Sequence, residues 1–269
     1  MLNHGVSVPD FTLSVVSHGH SVMLMQLLAD LDSCASLDGA VVVVTLNLPG
    51  EEFVPLLYRR IRLLILRNQQ PKGFGANHNA AFHYCDTRWF AVLNPDLRIM
   101  HDPFTSLVKA SSQWYGVGVI APRVINSSGS LEDSVRRNPN LLSIVGGLLG
   151  NRKTIDVLSK EYDAESYYWL AGMFLLFLAK GFEAVHGFDE RFFLYYEDND
   201  ICARMNAAGY SIAVDATVAV THDAQRASHR SIRHLRWHVT SLLRVWMSRP
   251  FWRLILVGNG ARPLLVKRL

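Results

Sequence analysis

Over the first half of the chain, short apolar runs rich in β-branched residues alternate with stretches whose apolar positions recur at helical spacing. Thr12–Ser17 (TLSVVS) reads as a strand and Val22–Leu31 as the helix after it. Val41–Leu46 (VVVVTL) is continuously apolar up to its threonine, the pattern of a strand covered on both faces. Ile61–Leu66, Arg88–Leu93 and Gly116–Ala121 read as further strands, with helices at Ala76–Cys85 and Phe104–Gln113 between them. This alternation predicts an α/β domain with a mostly parallel central sheet flanked by helices. Later the pattern changes. Asn126–Asn140 is polar and turn-rich and predicts a long surface loop, while Leu141–Gly150 is apolar with glycines and fits neither period. Trp169–Ala179 predicts one buried strand, Glu197–Ala208 a helix closed by Gly209, and Ile212–Val220 a last strand. Near the end, Ile232, Leu235, Val239, Leu242, Leu243 and Trp246 recur at helical spacing, and Arg230, Arg233, Arg236 and Arg244 occupy other faces.

Composition narrows the class. Of 269 residues, 49% are apolar and 19% charged, which excludes wholesale disorder and allows one large core. No apolar run approaches the ~20 residues of a spanning helix. The first ten residues (MLNHGVSVPD) lack a basic start followed by an apolar stretch, so no secretory signal is expected. Cys34, Cys85 and Cys202 are far apart and fit no zinc or disulfide spacing, which predicts buried thiols in a reducing cytoplasm. Charge is unevenly spread. Ala224 to Leu269 holds 10 of the 27 basic residues and no acid, which leaves 17 against all 23 acids before it. An acidic body with a basic tail-piece implies two surfaces with different partners.

Four places can carry chemistry, because open parallel sheets bind ligands beyond the carboxyl ends of their strands. Asn94-Pro95-Asp96 follows the strand at 88–93, where a carboxylate on a stiff turn suits a divalent ion touching a phosphate-bearing substrate; the alternative is an ordinary Asx turn. Lys72–Asn79 (KGFGANHN) lies between a strand and a helix. There Gly73 and Gly75 allow close backbone approach, and the helix start offers N–H groups to phosphate; a plain capped loop is the competing reading. Glu197-Asp198-Asn199-Asp200 begins a helix after the aromatic run FFLYY. The helix dipole accounts for one or two of its acids, while a carboxylate against apolar rings suits a base. His222 follows the last strand and is placed to converge with Asp96 on one ion; a lone histidine is more often a plain polar or core residue.

Together these segments resemble the inverting family 2 glycosyltransferases of GT-A fold, in their rhamnosyltransferase-like branch. The most specific stretch is Trp169–Tyr210, WLAGMFLLFLAKGFEAVHGFDERFFLYYEDNDICARMNAAGY, and LNPDLRI, QPKGFGANHNAAF and APRVINSSGSLEDSVRR add to it. The resemblance implies a GT-A domain over residues 1–223, with a nucleotide-binding part near 11–121 and an acceptor and catalytic part near 122–223. A basic amphipathic helical extension, 224–269, would follow. It implies Asp96 and His222 as ligands of Mg²⁺ or Mn²⁺, with Asn94 in the place of the first acid of an Asp-x-Asp. Asp198 would be the catalytic base, with Glu197, Asp200, Trp169 and Asp189 on the acceptor side or in support. Ser17, Asn47, Lys72, Gly73 and Gly75 lie where the family holds the nucleotide. Three departures stand out. Ser17-His18-Gly19-His20 replaces Thr-Tyr-Asn, Thr45-Leu46-Asn47 replaces Asp-Asn-x-Ser, and His186 replaces the first glycine of Gly-Gly-Phe-Asp-Glu.

The implied reaction moves a sugar, with rhamnose the first to try, from a nucleoside diphosphate to a saccharide hydroxyl, in bacterial surface polysaccharide synthesis. The basic extension suits an anionic membrane surface and hence a lipid-linked acceptor and a peripheral place on the inner face of the membrane. A core-packing helix with a solvated basic face, or an oligomer contact, would explain it equally. Two other readings remain open here: a nucleotidyltransferase, and a sugar-nucleotide or polysaccharide-binding subunit without activity. No nucleic-acid reading motif is present.

Overall fold

A computed structural model describes residues 10–137, 155–157, 167–222, 232–249, 252 and 262–268. Strands β1 (Phe11–Ser17), β2 (Val41–Leu46), β3 (Arg62–Arg67) and β4 (Trp89–Leu93) form the first half of the central sheet, and a two-residue strand β5 (Leu97–Arg98) follows. The second half is β6 (Val117–Ile125), β9 (Phe174–Leu178), β10 (Ser211–His222) and β11 (Leu265–Lys267), while β7 (Val135–Arg137) and β8 (Tyr168–Leu170) pair off the sheet. The order is β11-β10-β6-β9-β4-β1-β2-β3, with β5 paired to β10. All neighbours on the main path are parallel except β9, which runs antiparallel to both β4 and β6.

Helices cover both faces, which is why β1, β2 and β4 are almost wholly buried along their length. Helices α1 (Ser21–Ser33) and α3 (Phe104–Ser111) set Leu24, Leu28, Phe104 and Leu107 into a core with Leu13, Val15 and Val42. On the opposite face, α2 (Phe74–Phe82), α4 (Ala179–Ala184) and α5 (Glu197–Ala207) bring Ala81, Phe182 and Ile201 against Phe90 and Val92. Helix α6 (Ile232–Trp246) follows the sheet. Cys34 and Cys202 are buried thiols, and Cys85 is partly exposed. Among the described residues, no helix is long and apolar enough to cross a membrane.

Four sequence expectations differ from the fold. Trp169–Ala179 is two strands, because the chain turns at Ala171-Gly172-Met173 and changes sheet. The Met173 N–H donates to the Ala171 carbonyl (2.8 Å) in that turn, and a Cβ on Gly172 would lie 3.0 Å from the Phe74 ring. Asn126–Asn140 is not all loop, since Val135–Arg137 pairs antiparallel with β8. Residues 138–140 and Leu141–Gly150 lie outside the described residues. His222 is the last residue of β10, not a residue past it. The tail is not wholly helical either. Leu265–Lys267 joins the edge of the main sheet, where the Lys267 ammonium reaches the fully buried Asp215 carboxylate at 3.0 Å. Ser106 (2.8 Å) and Thr217 (2.6 Å) hydroxyls donate to the same carboxylate. Burial raises the Asp215 pKa, but these bonds outweigh it and hold the group below its ordinary value.

Candidate active site

The turn after β4 shows how distant residues are brought together. The Asn94 N–H donates to the Met173 carbonyl (2.9 Å), continuing the β4–β9 pairing by one residue. Pro95-Asp96 then reverses the chain into β5, whose Leu97 pairs with His222. Asp96 Oδ1 consequently lies 3.1 Å from His222 Nε2. Both atoms, and His222 Nδ1, are buried and have no hydrogen-bond partner among the described residues. A buried carboxylate oxygen and a buried imidazole nitrogen that near each other leave polar groups that a shared cation would satisfy. The pair therefore suits a metal ion, with imidazole and carboxylate both competent ligands. No group of three or more His, Cys, Asp or Glu side chains suited to a metal occurs among the described residues. Remaining ligands would have to come from phosphate and water, which is how Mg²⁺ is often held in phosphate-transfer sites.

Asp198 is tied to the same region through the chain turn. Its Oδ2 accepts from the Gly172 N–H (3.0 Å) and its Oδ1 from the Asn199 N–H (2.9 Å). Gly172 adjoins Met173, the partner of Asn94, so the backbone links Asp198 to the turn that carries Asp96. The residues ahead of α5 hold unusual backbone. Tyr195 and Tyr196 both have left-handed φ, +73° and +67°. Non-glycine residues there cost ~1–2 kcal/mol each, and such strain gathers at functional sites.

The first turn of α5 buries Glu197, Asp198 and Asp200 together at 5%, 8% and 5% exposure. Burial, then the Asp198 charge, pushes the Glu197 carboxyl well above its ordinary value. Burial also raises Asp198, but the Arg136 charge and the two amides oppose it. Burial thus raises both neighbours, which titrate as a pair, and the Gly172 and Asn199 amides favour the ionised form of Asp198. Asp200 is committed elsewhere. It pairs with Arg204 (2.7 Å), which in turn donates to the Gly187 carbonyl (2.7 Å). Asp189 is bonded to Arg191 (2.6 Å).

Arg136 was not singled out by sequence reasoning. It lies opposite Trp169 in the β7–β8 pair, with its guanidinium carbon 5.2 Å from the centre of the nearly buried indole. Asp133 holds its Nε at 2.8 Å. Glu51 was also missed. Its carboxylate accepts a short hydrogen bond from Ser17 Oγ and one from the Leu48 N–H (3.3 Å), so an acid does stand beside the ends of β1 and β2. Both residues sit in polar, aperiodic segments, and only the resemblance of APRVINSSGSLEDSVRR gave any signal for Arg136.

The Lys72–Asn79 loop is organised by amides. Asn47 Oδ1 accepts from the Lys72 N–H (2.9 Å) and from Asn68 Nδ2 (2.8 Å), and Asn47 Nδ2 donates to the Lys72 carbonyl (3.0 Å). Asn47 thus fixes the Lys72 backbone, and the Lys72 side chain is left exposed. The close approach that Gly73 and Gly75 permit is made by protein. A Cβ on Gly73 would lie 2.7 Å from the Phe193 carbonyl, and one on Gly75 2.6 Å from Phe188. Asn79 staples the same segment, accepting from the Phe188 N–H (2.9 Å) and donating to its carbonyl (2.9 Å). Position 186, where the family has glycine, also takes left-handed backbone (φ +58°), followed by Gly187 at +64°.

A model of the family described as Glycosyl transferase family 2 matches residues 51–172. The chain is 29% identical over 242 residues to rhamnosyltransferase WbbL of Escherichia coli K12, covering 86% of this chain and 90% of that one. It is 31% identical over 161 residues to the N-acetylglucosaminyl-diphospho-decaprenol L-rhamnosyltransferase of Mycobacterium tuberculosis, a match over 56% of this chain and 52% of that one. The chain thus spans about half the length of the mycobacterial relative. In fold it is similar to the mannosyltransferase PcManGT of Pyrobaculum calidifontis, solved with GDP-Man and Mn²⁺, at a TM-score of 0.57 and 13% identity over 95% of this chain and 70% of that one. Staphylococcus aureus TarS 1-349, solved with UDP-GlcNAc, follows at 0.55 and 10% identity over 89% and 67%. Residues 51–172 thus match glycosyl transferase family 2, most of the chain is similar to a rhamnosyltransferase, and the fold is similar to that of solved glycosyltransferases.

Proposed function

We propose that the protein transfers a sugar, rhamnose first among the candidates, from a nucleoside-diphosphate donor to a hydroxyl of a lipid-linked saccharide, with inversion at the anomeric carbon. The observation that carries this reading is the linkage of Asp198, through Gly172 and Met173, to the turn where Asp96 meets His222. The relatives' names support the substrate class: one is a rhamnosyltransferase, and the other an N-acetylglucosaminyl-diphospho-decaprenol L-rhamnosyltransferase.

In this reading Asp198 takes the proton from the acceptor hydroxyl as its oxygen attacks the anomeric carbon, and the nucleoside diphosphate departs from the opposite face. Asp96 and His222 would hold Mg²⁺ or Mn²⁺, which supplies positive charge against the leaving diphosphate. Asn94 shapes the turn that presents Asp96. Ser17, Asn47 and Lys72 border the nucleotide side, and Glu51 provides the acid that the segment Thr45-Leu46-Asn47 lacks. Gly73 and Gly75 serve by letting α2 pack against the segment leading to α5. Glu197, Trp169 and Asp189 stand on the acceptor side, and Asp200 secures Arg204.

A nucleotide-sugar panel with Mg²⁺ or Mn²⁺ and a saccharide acceptor tests the reading. Release of nucleoside diphosphate is expected. Release of pyrophosphate would make the protein a nucleotidyltransferase, and no turnover with any donor would favour a binding subunit.

Arg136 gives a separate prediction. Removing its charge takes away an influence that favours ionised Asp198, so the base gains its proton at higher pH. Arg136→Gln is expected to move the acid limb of the pH–kcat profile upward, and Arg136→Lys to restore most of the shift. A uniform loss of rate with an unmoved limb would leave Arg136 only a packing role on Trp169.

A further inference from the structure

Helix α6 has two working faces. One face grips the segment ahead of α5. Trp237 stacks on Phe193 (ring centres 4.7 Å, planes 27° apart), and His238 stacks on Tyr195 (3.7 Å, 14°). Ser241 Oγ donates to the Leu194 carbonyl (3.0 Å), Arg244 donates to the Arg191 carbonyl, and the Arg244 guanidinium lies over the Phe192 ring. Val245 is buried against Phe192. The same helix therefore secures residues 191–196, including the left-handed Tyr195 and Tyr196 that lead into Asp198.

The other face is apolar and open. Val239 and Leu243, at i and i+4 of the helix, and Met247, one residue past its end and bonded back to the Leu243 carbonyl, form one stripe with 46%, 48% and 77% exposure. Exposed Arg236 and Arg249 bracket the stripe. A helix that has already satisfied one side against its own domain gains nothing in water from an apolar stripe on the other. Three side chains with a basic rim fall short of the ~800 Å² per partner of a standard protein interface. They match an interfacial helix, with its apolar stripe in the acyl boundary and its arginines at anionic head groups. The charge distribution points the same way, since no acid occurs from Ala224 to Leu269.

We propose that the outward face of α6 docks on an anionic bilayer and thereby sets the 191–196 segment, and Asp198 behind it, at the level of a lipid-linked acceptor's head group. This rests on the glycosyl-transfer reading and adds the surface on which transfer takes place.

Flotation of the full chain with phosphatidylcholine vesicles, with and without phosphatidylglycerol, tests it. Binding is expected only with phosphatidylglycerol and is expected to weaken with salt. Leu243→Glu/Met247→Glu is expected to abolish it, and Arg236→Gln and Arg249→Gln to lower it about fivefold each. The double variant should keep wild-type nucleoside diphosphate release with a water-soluble acceptor, which shows that it folds. No flotation of the wild type, or equal flotation of the double variant, would overturn the proposal. So would a wild-type dimer that the double variant converts to monomer, because the face would then belong to a second copy. Release with the soluble acceptor reports on the transfer reading independently of the vesicle result.

Discussion

Asp198→Asn is expected to lower kcat by about 10²–10⁴-fold, or roughly 3–5 kcal/mol of activation free energy, while donor affinity stays near wild type. The substitution is nearly isosteric. Its amide oxygen can still accept from one of the two backbone N–H groups, that of Gly172 or that of Asn199, so one of the two bonds that hold the side chain is kept. What it loses is a group able to take the hydroxyl proton. Glu197→Gln is the matching control. Burial and the adjacent Asp198 charge raise the Glu197 pKa, and glutamine imitates the neutral form that this favours. Its effect on kcat is expected to be small. Equal damage from the two variants would move the base to Glu197. Near-normal turnover of Asp198→Asn would remove Asp198 from the chemistry. Calorimetry with the nucleoside diphosphate alone checks that donor binding survives.

Asp96→Ala and His222→Ala are expected to erase most of the gain in nucleoside diphosphate affinity that Mn²⁺ or Mg²⁺ confers. Changing an outer partner of a metal ligand usually costs 10–100-fold, so losing a ligand should cost at least ~10–100-fold. Affinity in the presence of a chelator should be unchanged. Asp96 Oδ1 and His222 Nε2 lie 3.1 Å apart, two buried atoms without a hydrogen-bond partner among the described residues. With only two protein ligands, each removal leaves a site that a hydrated ion has little reason to enter. Titration calorimetry with and without metal measures this. Full metal-dependent affinity in either variant would reduce the Asp96–His222 contact to a structural ion pair.

Much of the sheet was legible because burial on two faces leaves a mark in the sequence. Val41–Leu46 and Trp89–Leu93 are covered by helices on both sides, and their composition says so. Gly209, at φ +87°, closes α5 as a glycine after a helix should. The failures share a cause: they depend on neighbours distant in sequence. Trp169–Ala179 is apolar throughout, and only the packing of Phe74 against Gly172 divides it. Val135–Arg137 is too short and too polar to show a period, and it becomes a strand because Tyr168–Leu170 lies beside it. Leu265–Lys267 is a strand because Asp215, fifty-two positions earlier, offers Lys267 a buried carboxylate.

The candidate site divides in the same way. Asp96 and His222 stood out because they follow or end strands on the ligand side of the sheet, and Asp198 because it opens a helix after an aromatic run. The contact between Asp96 and His222 needed β5, two residues that no periodicity reveals. Gly73 and Gly75 stood out as a loop that approaches something closely. What they approach, the 188–193 segment, becomes visible only in the fold. Asn47 stood out by its position at a strand end, and its amide turns out to be engaged with Lys72.

The anomeric configuration of the product, read by NMR after turnover of dTDP-rhamnose with an N-acetylglucosaminyl-diphospho-lipid acceptor, bears on the whole scheme at once. Single displacement by a hydroxyl deprotonated at Asp198 requires the opposite anomer from the donor, with one nucleoside diphosphate released per bond formed. A product that retains the donor's configuration would contradict it.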